Sequence, residues 1–240
     1  MKSRFVLFIS ALLFSCGNSS QNNTASAPAN SSTDWVMTKA IQDKLTPDSI
    51  VTILKNGNTN FYNFKLTSKN DSLRIRVTSD SGQYPMAAVL SCLDSRVPPE
   101  HVLDRGIGDL FIARVAGNFA NTDILGSLEY ACPVSGAKVI LVLGHEECGA
   151  IKSAIDNVQM GNITAMLRNL KAAVDSTQTT GERTSKNKQF VHDVALKNIA
   201  FTIKKIRADS PILNTLEKGG KLKIIGGMYN LANGQITFIN

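Results

Sequence analysis

Lys138-Val139-Ile140-Leu141-Val142-Leu143, followed at once by Gly144-His145-Glu146-Glu147-Cys148-Gly149, is the stretch that decides the fold. An unbroken apolar run of this length, rich in β-branched residues and stopped by glycine, suits a strand buried on both faces. Three runs of the same kind stand at 86–90 (MAAVL), 109–113 (DLFIA) and 222–225 (LKII). Helical spacing fills the intervals: 122–131 offers Ile124, Leu125 and Leu128, and 191–207 puts Val191, Val194, Ala195, Ile199, Ile203 and Ile206 on one stripe. Strands alternating with helices predict an α/β fold, a mainly parallel central sheet flanked by helices. Asn233-Gly234 is a hairpin signal, so 235–239 is expected to turn back as an antiparallel edge strand against 222–225.

Ahead of this pattern, Val36, Ile41 and Leu45, then Ile50, Ile53 and Leu54, predict two short helices, with Thr46-Pro47-Asp48 as a helix start. They form an N-terminal helical arm. From 55 to 82 the chain is polar, and the alternation Leu73-Arg74-Ile75-Arg76-Val77 reads as a short strand or extended chain.

The first residues, MKSRFVLFISALLFSC, combine two positive charges, an apolar run too short to span a bilayer and a small residue before Cys16. Residues 1–15 are expected to be a secretory signal and Cys16 a lipid-modified first residue of an exported protein, resembling a bacterial lipoprotein. Ordinary cleavage without lipid is the alternative. Residues 16–34 are small and polar, a flexible tether reaching roughly 20 to 25 Å. The folded domain is expected over 35–240, in a periplasmic setting with the membrane engaged only through the anchor.

Composition limits the remaining classes. The 240 residues are 43% hydrophobic and 19% charged, which fits a globular chain. The formal net charge of +7 falls to +5 once Lys2 and Arg4 are removed, and the basic residues are scattered without interleaved aromatics. Nucleic acid is therefore not an expected partner.

Two clusters follow predicted strands, where an open α/β sheet places its ligand crevice. One is Cys92-Leu93-Asp94-Ser95-Arg96; the other is His145-Glu146-Glu147-Cys148-Gly149. With Cys16 set apart, Cys92, Cys132 and Cys148 are odd in number, so either one disulfide forms and a thiol is left over, or a metal holds some of them. His145 and Cys148, three apart at an expected helix start, can converge with Cys92 from a neighbouring strand end. Two thiolates and an imidazole suit zinc and leave a fourth position open for chemistry. Arg96 can grip Asp94 as a surface ion pair, or it can orient that carboxylate toward water at the open position.

These motifs resemble the β-class carbonic anhydrases. The matching stretches are Cys92 to Glu100 (CLDSRVPPE), Gly108-Asp109-Leu110-Phe111 through Arg114 to Ala116-Gly117-Asn118, Ser127-Leu128-Glu129-Tyr130-Ala131, and Gly144-His145 through Cys148-Gly149-Ala150. The resemblance implies one zinc per chain on Cys92, His145 and Cys148, with Asp94 and Arg96 as the catalytic dyad. It also implies that Gln83 positions substrate, as in the plant-like branch, and that Phe111 and Tyr130 line an apolar carbon dioxide pocket shared by two subunits. The implied reaction is reversible hydration of carbon dioxide to bicarbonate and a proton, by a homodimer or higher homo-oligomer. Hydrolysis of carbon disulfide or carbonyl sulfide on the same site, and a non-catalytic zinc-binding lipoprotein, are the alternatives. His101 is expected to be an exposed loop histidine, with proton relay as the alternative; His192 matches no functional position, and Cys132 is expected to be a buried free thiol.

Overall fold

A computed structural model describes residues 35–239; the expected signal segment at 1–15, Cys16 and the expected tether to residue 34 lie outside the described residues. The apolar runs form five strands, β1 (Ala87–Ser91), β2 (Leu110–Arg114), β3 (Val139–His145), β4 (Lys223–Tyr229) and β5 (Ile236–Ile239). Their order is β2-β1-β3-β4-β5, with β5 alone antiparallel, paired with β4 as the hairpin signal predicts. Among the described residues no helix is long and apolar enough to cross a membrane.

Every residue of β1 and β3 is buried, and their side chains divide between two cores with the period of two that a strand imposes. Ala88, Leu90, Ile140 and Val142 face one core, while Ala87, Val89, Val139, Leu141 and Leu143 face the other. β2 departs from the expectation of burial on both faces: its residues are half-buried or exposed, because it forms the sheet's edge.

The helices are α1 (Lys39–Lys44), α2 (Pro47–Tyr62), α3 (Asp71–Ser81), α4 (Pro99–Val102), α5 (Thr122–Glu129), α6 (Gly149–Ile155), α7 (Gly161–Leu167), α8 (Lys171–Ser176), α9 (Lys188–Asp209) and α10 (Pro211–Lys218). α5 runs on into a wider π turn over Tyr130–Val134. α9 buries the whole expected stripe, Val191, Val194, Ala195, Ile199, Ile203 and Ile206, against the first core. Each of these valines and isoleucines contributes about 1.5 to 3 kcal/mol when fully buried. Ile199 sits so close to the sheet that a Cβ at Gly144 or Gly226 would lie 2.8 or 2.6 Å from it, so those glycines let the helix approach.

The arm needs two corrections. α2 starts as expected, with Thr46 and Ser49 exchanging capping hydrogen bonds, but it continues to Tyr62 instead of ending near Leu54. Its later turns dock through Asn58, which donates to Val102 O and Gly234 O and accepts from Ile236 N. Residues 73–77 are neither strand nor extended chain; they belong to α3, capped by Asn70, whose side chain accepts from Leu73 N at 3.0 Å. What anchors α3 is a charge. Arg74 is buried and donates to Asp109 at 2.9 Å, Trp35 O at 3.0 Å and Ile107 O at 3.1 Å.

Candidate metal centre

Register places β1 beside β3 with Ser91 opposite Leu143, so Cys92 and His145 leave the same rim of the sheet. His145 is the last residue of β3 and not part of a helix start. The chain then turns sharply, with Glu147 in the left-handed region at φ 54°, and Cys148 caps the N-terminus of α6. All three side chains are buried and their ligand atoms lie within 4.8 Å of one another.

The donors fit zinc. The sulfurs of Cys92 and Cys148 are 3.8 Å apart, as two thiolates about 2.3 Å from a tetrahedral ion would be. Neither is in a disulfide, and Cys132 is also free and buried, which removes the bridge alternative and agrees with the reading of Cys132. His145 Nδ1 donates to Glu146 O at 2.8 Å, which fixes the tautomer and leaves an Nε2 lone pair. That Nε2 is buried with no hydrogen-bond partner, an acceptor waiting for a cation.

Electrostatics within the cluster are asymmetric. The Cys148 thiol donates to Cys92 and, against the effect of burial, takes Cys92 down to about 4, helped by His145 and Gly117. Cys148 is pushed up by the same hydrogen bond and by burial. Cys132 has no such neighbour, and burial alone raises it to about 12.

At the mouth, Arg96 donates through Nε to Asp94 Oδ1 at 2.9 Å and through Nη2 to Oδ2 at 2.7 Å, while its backbone N–H also reaches Oδ1. The Arg96 hydrogen bond is the main reason Asp94 falls to about 2. Asp94 Oδ2 is 3.8 Å from His145 Nε2, so the carboxylate faces the point at which the three donors converge.

Supporting groups went unassigned in the sequence. Gly117 N donates to Cys92 Sγ at 3.3 Å from a left-handed φ of 86°, and a Cβ there would lie 2.8 Å from Leu170. Asn198, buried on the apolar stripe of α9, donates to Gly117 O at 2.8 Å. Arg114 donates to Cys92 O at 3.0 Å and also to Asp94 O, holding the loop that carries both residues. A polar residue inside an apolar helical stripe was the available signal for Asn198.

Phe111 and Tyr130 meet edge to face with centroids 6.3 Å apart, in a cleft of about 670 Å³ that Ala88, Ala113 and Leu128 also line. Gln83 is exposed in the segment before β1, at the opposite end of that strand from Cys92. Five of the expected site residues therefore converge, two more meet each other, and Gln83 stands apart within one chain. His101 is exposed on α4, against Phe61, and His192 lies on α9 beside Glu146.

The carbonic anhydrase family profile matches residues 87–236. Carbonic anhydrase 2 of Mycobacterium tuberculosis is 32% identical over 183 residues, 76% of this chain and 87% of that protein. Among solved structures, the Coccomyxa β-carbonic anhydrase in complex with acetazolamide superposes with a TM-score of 0.62 at 24% identity, covering 70% of this chain and 77% of that one. The tetrameric β-carbonic anhydrases of Sordaria macrospora give 0.58 at 22% identity, covering 80% and 91%. These two share the fold of this chain, and by the family match and the Mycobacterium relative the chain belongs to the β-class carbonic anhydrases.

Proposed function

We propose that the protein catalyses the zinc-dependent, reversible hydration of carbon dioxide to bicarbonate and a proton. The observation that carries this reading is the buried Cys92, His145 and Cys148 set facing a carboxylate clamped by arginine. Bound by those three residues, zinc supplies the Lewis acidity that makes water nucleophilic near neutral pH. Asp94, held ionised by Arg96, can only accept hydrogen bonds, so it orients the attacking water by taking one of its protons in a hydrogen bond. Arg96 fixes the direction of that acceptor through two bonds. A purely structural site would have no use for this pair.

Phe111 and Tyr130 offer the apolar wall that carbon dioxide requires, and the Gln83 amide can donate to a substrate oxygen. Gln83 lies at the far end of β1 from Cys92, so its contribution comes from a second copy, and we assign the protein to the plant-like branch as a homodimer or larger assembly. The half-exposed apolar edge at β2 supports this, as does the tetrameric state of the Sordaria proteins. Export to the periplasm and lipid attachment through Cys16 are proposed from the sequence of residues 1–34. An intact mass without acyl groups, on a protein that does not begin at Cys16, would refute the anchor.

The deciding experiment measures zinc per chain and carbon dioxide hydration on the same purified protein. One zinc per chain with rapid hydration is expected; full zinc with no hydration between about pH 6 and pH 9 overturns the proposal.

A further inference from the structure

Asn198 stands on the buried stripe of α9 between Ala195 and Ile199 and is 2% exposed, where an apolar side chain would pack without a hydrogen-bond partner. Its partner is the loop beside the metal centre: Nδ2 donates to Gly117 O at 2.8 Å. The next residue, Ile199, is the one packed against Gly144, directly before His145. α9 therefore reaches the centre at two adjacent positions.

The loop that Asn198 holds is a turn over 115–118, closed by Asn118 N donating to Val115 O at 2.9 Å. Two consecutive residues of that turn are left-handed, Gly117 at φ 86° and Asn118 at φ 41°. A residue with a side chain keeps such a conformation when its surroundings fix it. The Asn118 amide gives no hold through its Nδ2, which is buried without an acceptor. The peptide unit joining Gly117 to Asn118 is instead pinned at both ends, its carbonyl by Asn198 and its N–H by Val115 O. With that unit fixed, the preceding N–H, that of Gly117, meets Cys92 Sγ at 3.3 Å. Take away the Asn198 amide, and a buried carbonyl loses its donor. The easiest relief is rotation of the 117–118 unit, which shifts Gly117 and carries its N–H off the sulfur.

We propose that Asn198 is a positioning residue for the hydration reaction: by locking the 115–118 turn it keeps the Gly117 N–H on Cys92 Sγ, and so limits the charge which that sulfur gives to a bound metal. The proposal rests on the zinc reading above. A hydrogen bond donated to a ligating sulfur draws electron density from it, and the metal it binds is the stronger Lewis acid for that. Asn198 touches neither the sulfur nor substrate; it acts through Gly117.

The test uses the full-length protein with Asn198→Leu, which keeps the volume, and Asn198→Ala, which does not; both remove the donor. Thr202→Val is the control, a second buried polar residue one turn along α9. Loaded with ¹¹³Cd, the wild type is expected to show scalar coupling between the metal and the Gly117 amide proton, transmitted through the N–H···S hydrogen bond. The Asn198 variants should lose that coupling and Thr202→Val should keep it. Loaded with cobalt, the Asn198 variants should move the sulfur-to-metal charge-transfer band to longer wavelength. Loaded with one zinc per chain, they should lose roughly tenfold or more in kcat/KM, the usual effect of removing a group behind a ligand. A cadmium-loaded wild type without the Gly117 coupling overturns the proposal, whether or not the variants fold. Coupling and band unchanged in the Asn198 variants, or changed equally in Thr202→Val, overturn it as well. A wild type that takes up none of the three metals overturns the zinc reading itself, and the proposal falls with it.

Discussion

Arg96 grips both oxygens of Asp94 at 2.9 and 2.7 Å while one of those oxygens stands 3.8 Å from His145 Nε2. The carboxylate is thus held between a fixed cation and the converging donor atoms of the Cys92, His145 and Cys148 cluster. Asp94→Asn keeps the shape but turns an amide N–H₂ toward an arginine that itself only donates. Zinc should remain while hydration falls roughly a hundredfold, the scale of losing a positioned acid-base group. The comparison is made above about pH 8, where water competes best with a carboxylate for a metal position. A variant with full zinc and undiminished turnover would remove Asp94 from the mechanism.

Cys148 is both a proposed zinc donor and the residue whose sulfur lies 3.8 Å from that of Cys92. Cys148→Ser withdraws a soft ligand from a set of three and leaves the turn after β3 without its anchor. Because binding free energy at such a site is also folding free energy, zinc should drop well below one per chain and amide exchange over residues 145–149 should quicken. Elemental analysis and hydrogen exchange read these together, and stoichiometric zinc in the variant would contradict the ligand assignment.

What the sequence disclosed depended on which kind of residue does the packing. β1, β3 and α9 were legible because apolar side chains anchor them, so burial and hydropathy coincide. The grouping of Cys92, His145 and Cys148 was legible because the ends of adjacent parallel strands share a rim. α3 was not, since its anchor is Arg74, 2% exposed, while Ile75 beside it is 58% exposed. Over Leu73 to Val77 the apolar residues alternate by accident of composition, and period two mimics a strand. The second half of α2 was hidden for the same reason: Gly57 and Asn58 are its buried residues, and both read as loop.

The Arg74–Asp109 pair gives that failure an energetic counterpart. Both side chains are almost wholly buried, and Asp109 also accepts from Gly106 N at 2.8 Å. Arg74→Met fills the space but strands a buried carboxylate, a loss of about 3 to 5 kcal/mol. Asp109→Asn in the same chain should recover part of it by removing the orphaned charge. Denaturant unfolding of the two variants tests this; a single variant as stable as the wild type would mean that α3 does not depend on the pair.

Asp104, in the loop between α4 and β2, ties down the segment after α2 and makes that attachment sensitive to acid. Its fully buried carboxylate accepts from Asn60 Nδ2 at 2.9 Å, from Thr67 N at 3.2 Å and Oγ1 at 3.0 Å, and from Lys69 Nζ. Burial pushes its titration up, but Lys69, Asn60 and Thr67 together outweigh burial and hold the group below the usual carboxylate range. In the unfolded chain an aspartate titrates near about 3.9. Since the folded value is the lower one, the unfolded state binds more protons between the two. The stabilisation is therefore complete above about pH 4 and is lost as pH falls through the folded value. Asp104→Asn should flatten that acid-side slope of stability relative to the wild type and speed amide exchange over residues 63–70 at neutral pH. Parallel urea titrations from about pH 7 downward measure the slope, and identical acid profiles for the two proteins would show that Asp104 does not set it.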